Sequence, residues 1–600
     1  IIACIAFTVL CLKTKARRGT RRKPNNTRTI LLIAGYLAAV IALLAALICL
    51  GSYQKAGQQL QGSTESSTGE QNTQQQTGEV TDPPTDAATE PPTEPQPTLT
   101  PGQAESANPS NFGVKWDVIN NNSVTGNYNR SNPISFADPT RTNYFALPGI
   151  ATFRGNNYRD GAAYGTVNIV NKTLTNIWEK EISSMPKGVS SGYWTGCGWT
   201  GQPLMVQWDE QTKQIMNLYP EKKAKKDLVE VIYATLDGNI YFYDLQDGSY
   251  TRDPMKVGMT FKGAGALDPR GYPLFYVGSG DTYDGKKPRM YVISLIDCSI
   301  LYERGYSESV NYRGWYAFDS SPLVHSDSDT LIWPGESGLL YTIKLNTTYN
   351  KSAGTLSIQP DEPVMTRYTT SADRTKGYES SCVIVENYLY IGDNGGMLFC
   401  VDLNTMKLQW AQNVHDDVNA TPVFSWENGK GYLYTGSSME YSNGTVYITK
   451  LDASTGAIVW ENKYTDVYYD KGVSGGIMGS PVLGKKGTDL EGMIVYTIAR
   501  APGAYNGIAL ALDQQTGEVV WEKEMNSYAW SSPVALYNAD GTAFIILCDS
   551  SGNVHMMDGK TGETLAKTSV GSNVEASPAV FNNTLVVGTR GQKVFGIQIG

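Results

Sequence analysis

An all-β, eight-bladed propeller of four-stranded blades is the fold this chain predicts, from three observations. A turn-and-strand unit recurs through most of the chain, the residues that open strands are evenly spaced, and the last unit is one strand short. The unit is clearest at Leu512-Asp513-Gln514-Gln515-Thr516-Gly517-Glu518-Val519-Val520-Trp521, followed by Ser531-Ser532-Pro533-Val534. The Asp bonds backbone N–H groups two residues on, and the Gly supplies the positive φ of a tight hairpin. Copies stand at 451–456 leading to Trp460, at 401–405 leading to Trp410, and at 557–562, with a weaker one at 243–248. Alternating runs such as Ile240-Tyr241-Phe242-Tyr243 precede them and read as half-buried strands.

The strand openers set the period. They are Pro203, Pro322, Pro422, Pro481, Pro533 and Pro578, with Cys382 in the same frame and a degenerate start at Gly263-Ala264-Gly265-Ala266-Leu267. Eight starts about 54 residues apart, each with about four strands, are a propeller period. After Pro578 only three strands fit. Leu174-Thr175-Asn176-Ile177-Trp178-Glu179-Lys180-Glu181 has the character of the Trp-bearing outer strands and is expected to complete the last blade and close the ring. The tryptophans Trp178, Trp410, Trp460 and Trp521 are expected to dock between neighbouring blades.

The Asp-x-x-Thr-Gly-x-x-x-Trp turns and Ser-Pro-Val starts resemble the pyrroloquinoline-quinone (PQQ)-like eight-bladed propellers over residues 166–600. That group holds both quinoprotein alcohol dehydrogenases and non-catalytic relatives such as an outer-membrane assembly lipoprotein, so the resemblance implies the fold more firmly than the activity. In the dehydrogenases it implies calcium and PQQ at the channel mouth, a vicinal Cys-Cys pair on one face of the quinone, a Trp on the other and an Asp base. This chain has no Cys-Cys dipeptide and no Cys-x-x-Cys-His haem site.

Ahead of the propeller the composition changes four times. Residues 1–29 are an apolar stub (Ile1 to Leu12), read as the tail of a second, truncated membrane helix, and then a run of eight basic residues between Lys13 and Arg28. Ile30 to Leu50 is uncharged over 21 residues, long enough at ~1.5 Å per residue for a ~30 Å hydrocarbon layer. Residues 30–51 are therefore expected to be an uncleaved transmembrane helix with its basic flank in the cytoplasm, leaving the rest in the extracytoplasmic space. Residues 52–111 are rich in Gln, Thr, Pro, Glu and Ser and read as a disordered linker. Residues 112–165 regain aromatics and read as an ordered lead-in packed on the propeller, with Arg154 and Arg159 as structural arginines bonding backbone carbonyls.

Charge narrows the partners. Removing the +8 of the first 51 residues from the overall −9 leaves −17 for the remainder, which argues against nucleic-acid binding. Cys197, Cys298, Cys382, Cys400 and Cys548 show no pairing pattern and are expected to be buried and free. Three dispersed histidines make no zinc site, and no catalytic constellation stands out. The expected cofactor list is empty, with PQQ and calcium as the alternative.

The candidate binding residues precede the strand openers, on loops expected to ring one channel mouth. They are Trp194, Trp199, Trp315, Tyr316, Asp319, Tyr378, Glu379, Tyr468, Tyr469, Trp530 and Glu575, with Arg500 on a loop reaching the same rim. Aromatics with acids suit protein hot spots or sugar stacking, and equally suit rings that fill the funnel. The reading is a non-catalytic, membrane-anchored scaffold for an envelope protein or wall polysaccharide. The alternatives are a PQQ- and calcium-dependent dehydrogenase, or a glycan-binding or glycan-active propeller, for which Asp319, Glu379 and Glu575 are the carboxylates to test.

Overall fold

Every one of the eight starts opens a blade in the computed structural model, which describes residues 97–136, 144–188, 191–198, 201–281, 285–306, 308–372, 377–441, 444–470 and 472–600. Numbered along the chain, blades one to seven span 204–256, 266–304, 323–369, 383–413, 423–464, 482–525 and 534–569. Blade eight takes its first three strands from Ala579–Phe581, Thr584–Gly588 and Lys593–Ile599. Its fourth is Leu174–Glu181, antiparallel to the last strand from Glu181 opposite Lys593 to Leu174 opposite Ile599. Among the described residues no helix is long and apolar enough to cross a membrane. The helix expected over Ile30 to Leu50 lies outside them.

The Asp-x-x-Thr-Gly turn acts as a lock between blades. Asp513 Oδ1 accepts from the N–H groups of Gln515 and Thr516, and Asp558 does the same for Lys560 and Thr561. The residue after the Asp turns its carbonyl toward the preceding blade. There the Trp indoles donate: Trp178 to Leu245, Trp410 to Ala453, Trp460 to Gln514 and Trp521 to Gly559, at 2.8–3.1 Å. Each ring also lies on the turn glycine. A Cβ on Gly517, whose φ is +76°, would sit 2.8 Å from the Trp460 ring. A β-bulge aims the Trp: Ala511 pairs with Trp521 and Leu512 with Val519, so Val520 is the extra residue and stands exposed.

At two interfaces without the outer-strand Trp, an arginine reaches the same carbonyl. Arg252 of blade one donates to the Leu295 carbonyl of blade two at 2.6 Å. Arg130, from the lead-in, donates to Leu403 of blade four at 3.1 Å. Arg252 is fully buried and forms a two-pronged pair with Glu230 at 2.8–3.1 Å, while Trp208 Nε1 and Thr251 Oγ1 donate to the same carboxylate.

The lead-in does more than pack on the outside. Residues 115–125 add two strands, Lys115–Asn120 and Ser123–Thr125, to the outer edge of blade three. The disordered linker expected to run to residue 111 is corrected at its end: residues 97–111 are folded. Leu99 and Ala107 are buried between blades four and five, and the N–H groups of Gly102 and Ala104 bond the carbonyls of Ser454 and Thr455. Two buried apolar side chains and paired backbone groups offset the ordering entropy that the bare composition suggested would prevail.

Residues 149–164 form a plug inside the channel, touching the start of the first strand of every blade. Gly149–Ile150 pairs with Met205 and Val206 of blade one, and the Leu267 N–H of blade two bonds the Ala151 carbonyl. Arg159 donates to Ser321 and Cys382 at the openings of blades three and four. The Phe424 N–H of blade five bonds the Tyr158 carbonyl. Arg154 donates to Pro481 and Pro533, and Ala163–Tyr164 lies parallel to Val580 and Phe581. Both arginines are essentially inaccessible, so burial draws their pKa values down, Arg154 to about 10. As expected, they bond carbonyls; their reach to four blades is a tertiary feature.

Candidate binding site in the central channel

The plug closes the channel from within and leaves a cup above it. Phe153 of the plug lines the cup with Gly263, Ala264, Asp319, Glu379, Ser381, Asn419 and Thr421. Its empty volume is about 300 Å³, open mouth included. The polar groups in and next to the cup stand ahead of the inner strands: Asp319 before blade three, Glu379 before blade four and Asn419 before blade five line it, with Lys262 before blade two and Asp417 before blade five beside them. Glu336 sits in the turn after the second strand of blade three, Thr330–Pro334.

Acids crowd here. One oxygen each from Asp319, Glu336 and Glu379 lie within 4.8 Å of one another. Asp319 is 5% exposed and Glu336 4%, yet both oxygens of Asp319 and Oε1 of Glu336 lack a hydrogen-bond donor. Lys262 Nζ stands 3.6 Å from Asp319, too far for a hydrogen bond, and nearer Asp281 at 3.1 Å. Asn394 bridges Glu379 at 2.8 Å and Asp417 at 3.1 Å, and Arg313 holds Asn394 through its Oδ1. Burial pushes Asp319 up to about 6; Lys262 opposes the rise and Glu379 and Asp281 add to it. Burial, then Asp319 and Glu379, hold Glu336 far above the usual range, and burial with Glu379 does the same for Asp417. For Lys262, burial is outweighed by Asp319, Asp281, Glu336 and Glu379, which keep it an ammonium.

The expected binding residues do not stay together. Asp319 and Glu379 meet in the cup. Trp315, Tyr468 and Tyr469 are exposed, and Trp194 and Tyr316 are half-buried. Lys187 and Lys262 stand 4.4 and 5.8 Å from the Trp194 ring. Tyr378, Arg500 and Trp530 are buried instead. Tyr378 packs with Tyr368 and Phe399, and Trp530 donates to the Ser474 carbonyl at 3.1 Å, so these are core groups and not rim groups. Glu575 is held apart from the acid trio by Arg590 at 3.6 Å and Asn573 at 2.9 Å. Trp199 lies outside the described residues. The sequence reading missed Glu336, Lys262, Asp281 and Asp417. The signal for Glu336 was its place in the turn after a second strand, where Asp237, Asp393 and Asp549 stand in other blades.

Further exposed aromatics share that side of the ring. Tyr193, Tyr306, Tyr312, Trp315, Tyr468 and Tyr469 lie on connections from one blade's fourth strand to the next blade, and Tyr441 and Tyr505 on second-to-third-strand loops. Both kinds of connection emerge at the cup end. Tyr505 is 79% exposed.

The cup presents hard oxygen donors beside the Phe153 ring. Three hard oxygens at this spacing suit calcium or magnesium. A planar tricarboxylic quinone would bring its own negative charge beside buried acids. The five described cysteines are unpaired and none is vicinal, so no disulfide is present to stack on a ring.

Comparison with known proteins gives the same architecture. The family model described as outer membrane protein assembly factor BamB matches residues 505–599. The quinoprotein ethanol dehydrogenase of Pseudomonas aeruginosa is 24% identical over 156 residues, 26% of this chain and 24% of that one. BamB of Legionella pneumophila is 22% identical over 219 residues, 35% of this chain and 47% of that one. The chain thus spans between a quarter and half the length of these relatives. The quinohemoprotein alcohol dehydrogenase ADHIIG of Pseudomonas putida HK5 superposes with a TM-score of 0.51 at 12% identity, covering 78% of this chain and 83% of that one, which is a likeness of fold.

Proposed function

We propose that this chain, which belongs to the PQQ-like β-propeller repeat family, is a non-catalytic binding scaffold, anchored in the membrane by Ile30 to Leu50 and displaying its propeller outside the cytoplasm. The observation that carries the reading is the gathering of exposed aromatics on one end of the ring. Aromatic side chains bury much area at little entropy and dominate binding hot spots. The partner is an envelope protein or a wall polysaccharide. A relative supports the reading by name: BamB is called an outer membrane protein assembly factor. The dehydrogenase reading is disfavoured by the filled channel and the missing stacking pair.

Photo-crosslinking amino acids placed at Tyr505 and Trp315 in intact cells test the proposal, with Val519 on an outer strand as control. The expected outcome is one discrete crosslinked species from both rim positions and none from Val519. Equal labelling at all three, or none at any, would overturn it.

A further inference from the structure

We infer that the loops of blades five and six carrying Tyr441, Tyr468, Tyr469 and Tyr505 form a docking platform for a Lys- and Arg-bearing segment of a partner protein. The inference rests on the scaffold reading and names the partner chemistry that the reading leaves open.

The rim carries two kinds of aromatic. On the connections into blades one and three, the protein's own cations already cover the rings. Lys187 Nζ lies 4.4 Å from the Trp194 ring centre, the Arg289 guanidinium 5.4 Å from Tyr306 and the Arg367 guanidinium 4.3 Å from Tyr312. All are inside the ~6 Å range of cation–π attraction. On blades five and six the cations lie elsewhere: buried Lys450 over Tyr432 and Tyr434, and buried Arg500 over Tyr528. Tyr441, Tyr468, Tyr469 and Tyr505 are exposed, and no described Lys or Arg stands over them.

The acids of the same loops repeat the pattern. Glu440, Asp466 and Asp470 are exposed, and no Lys or Arg among the described residues pairs with them. Lys471, the other basic residue of these loops, lies outside the described residues. Burial, then Asp416 and Glu379, push the Glu440 carboxyl up, so the platform shares the negative field of the cup beside it. The loops are also fixed in advance. The Met439 N–H donates to the Gly475 carbonyl at 2.9 Å, Ile477 to Ser437, Tyr468 to Arg500 and Tyr528 to Tyr505, each at 3.0 Å. Asp416 accepts from the N–H groups of Glu440 and Tyr441. A surface ordered before docking loses little entropy on docking. A neutral sugar would use the ring faces and gain nothing from the carboxylates. A basic segment uses both, with its methylene stems on the rings and its charged heads at the acids.

The experiment is fluorescence anisotropy of the full 600-residue chain with a fluorescein-labelled Gly-Arg repeat peptide at about 0.15 M salt. A Gly-Glu repeat peptide and chitohexaose are the parallel arms. Saturable binding of the Gly-Arg peptide alone is expected. Tyr468→Ala with Tyr469→Ala should weaken it by about tenfold at unchanged net charge, and Glu440→Gln with Asp470→Asn should weaken it severalfold. Glu518→Gln, in the third-to-fourth-strand turn of blade six at the far end of the ring, should leave it within about twofold. The thermal midpoint of each variant, compared with that of the unaltered chain, separates lost binding from lost folding. The inference is overturned if the Tyr pair is dispensable, if Glu518→Gln costs as much as the platform acids, or if chitohexaose binds in place of the peptide. Crosslinks from Tyr505 in cells with no peptide binding would sink this inference and leave the scaffold standing, whereas absent crosslinks would sink both.

Discussion

Blades four to eight and blades one to three solve one packing problem with different chemistry. In the first group, three interfaces and the ring closure are locked by a Trp lying on the neighbour's turn glycine, its N–H satisfying a carbonyl that would otherwise be buried unpaired. In the second group the Trp is missing. Arg252 reaches the equivalent Leu295 carbonyl, and Arg270 binds Asp268 within its own blade at 2.6 Å and Asp329 of blade three at 2.8 Å. A Trp lock is mostly apolar area with one neutral hydrogen bond. A guanidinium lock is directional and needs a buried counter-charge. The acid-lined cup leans toward the charged group, with its lysine and two of its three trio carboxylates flanking blades two and three.

That contrast can be broken most sharply at Arg252. Arg252→Met leaves Glu230 buried without its cation and should destabilise the protein by about 3–5 kcal/mol, read from the denaturant midpoint. Pairing it with Glu230→Gln should recover part of the loss. A single substitution with no effect would mean that the guanidinium is not the lock. Next in size is the regular group. Gly517→Ala forces a side chain into the Trp460 ring at positive φ and should cost about 2–4 kcal/mol. Gly429→Ala, with φ +78° and nothing within 4 Å of the added carbon, should cost only about 1 kcal/mol. Equal losses would assign the whole effect to backbone strain and none to the Trp contact.

The smallest expected effect is one the two groups share. For Asp237 in blade one, burial alone would raise the pKa, but bonds from Ser183, Thr235, Tyr241 and Asn239 outweigh it. For Asp549 in blade seven, His555 and Asn553 outweigh burial in the same way. Both carboxyls are held below the usual range, so their contribution is complete above the ordinary carboxylate pKa of about 3.9 and is lost as pH falls through the depressed values. The thermal midpoint should drop below about pH 4, and Asp549→Asn should flatten that drop. An unchanged slope in the variant would remove Asp549 from the account.

The turns and tryptophans were legible because they are local and repeated. Asp513, Thr516, Gly517 and Trp521 define their turn and the bulge beyond it within ten residues, and a repeat copied around a ring announces both blade number and period. Blades one to three were harder to read for the same reason inverted: Arg252 and Leu295 are 43 residues apart, and no spacing marks them as partners. The cup's acid cluster was half visible. Asp319 and Glu379 precede strand openers and were singled out, whereas Glu336 joins them only because its turn projects into the channel between two blades. Tyr378 and Trp530 carried the same positional signal as Trp315, yet they turned into the core, a choice of rotamer and neighbour that no pattern encodes.

By itself, then, the chain determined an all-β ring of eight blades, because periodic burial and turn chemistry act between residues close in sequence. Tertiary structure alone decided what fills the ring. Residues 149–164 have no periodicity, and their arginines find carbonyls up to 379 residues away. The cup's acids share a few ångströms only because separate blades converge on one axis, where burial and mutual repulsion give ordinary carboxylates a chemistry that none of them has alone.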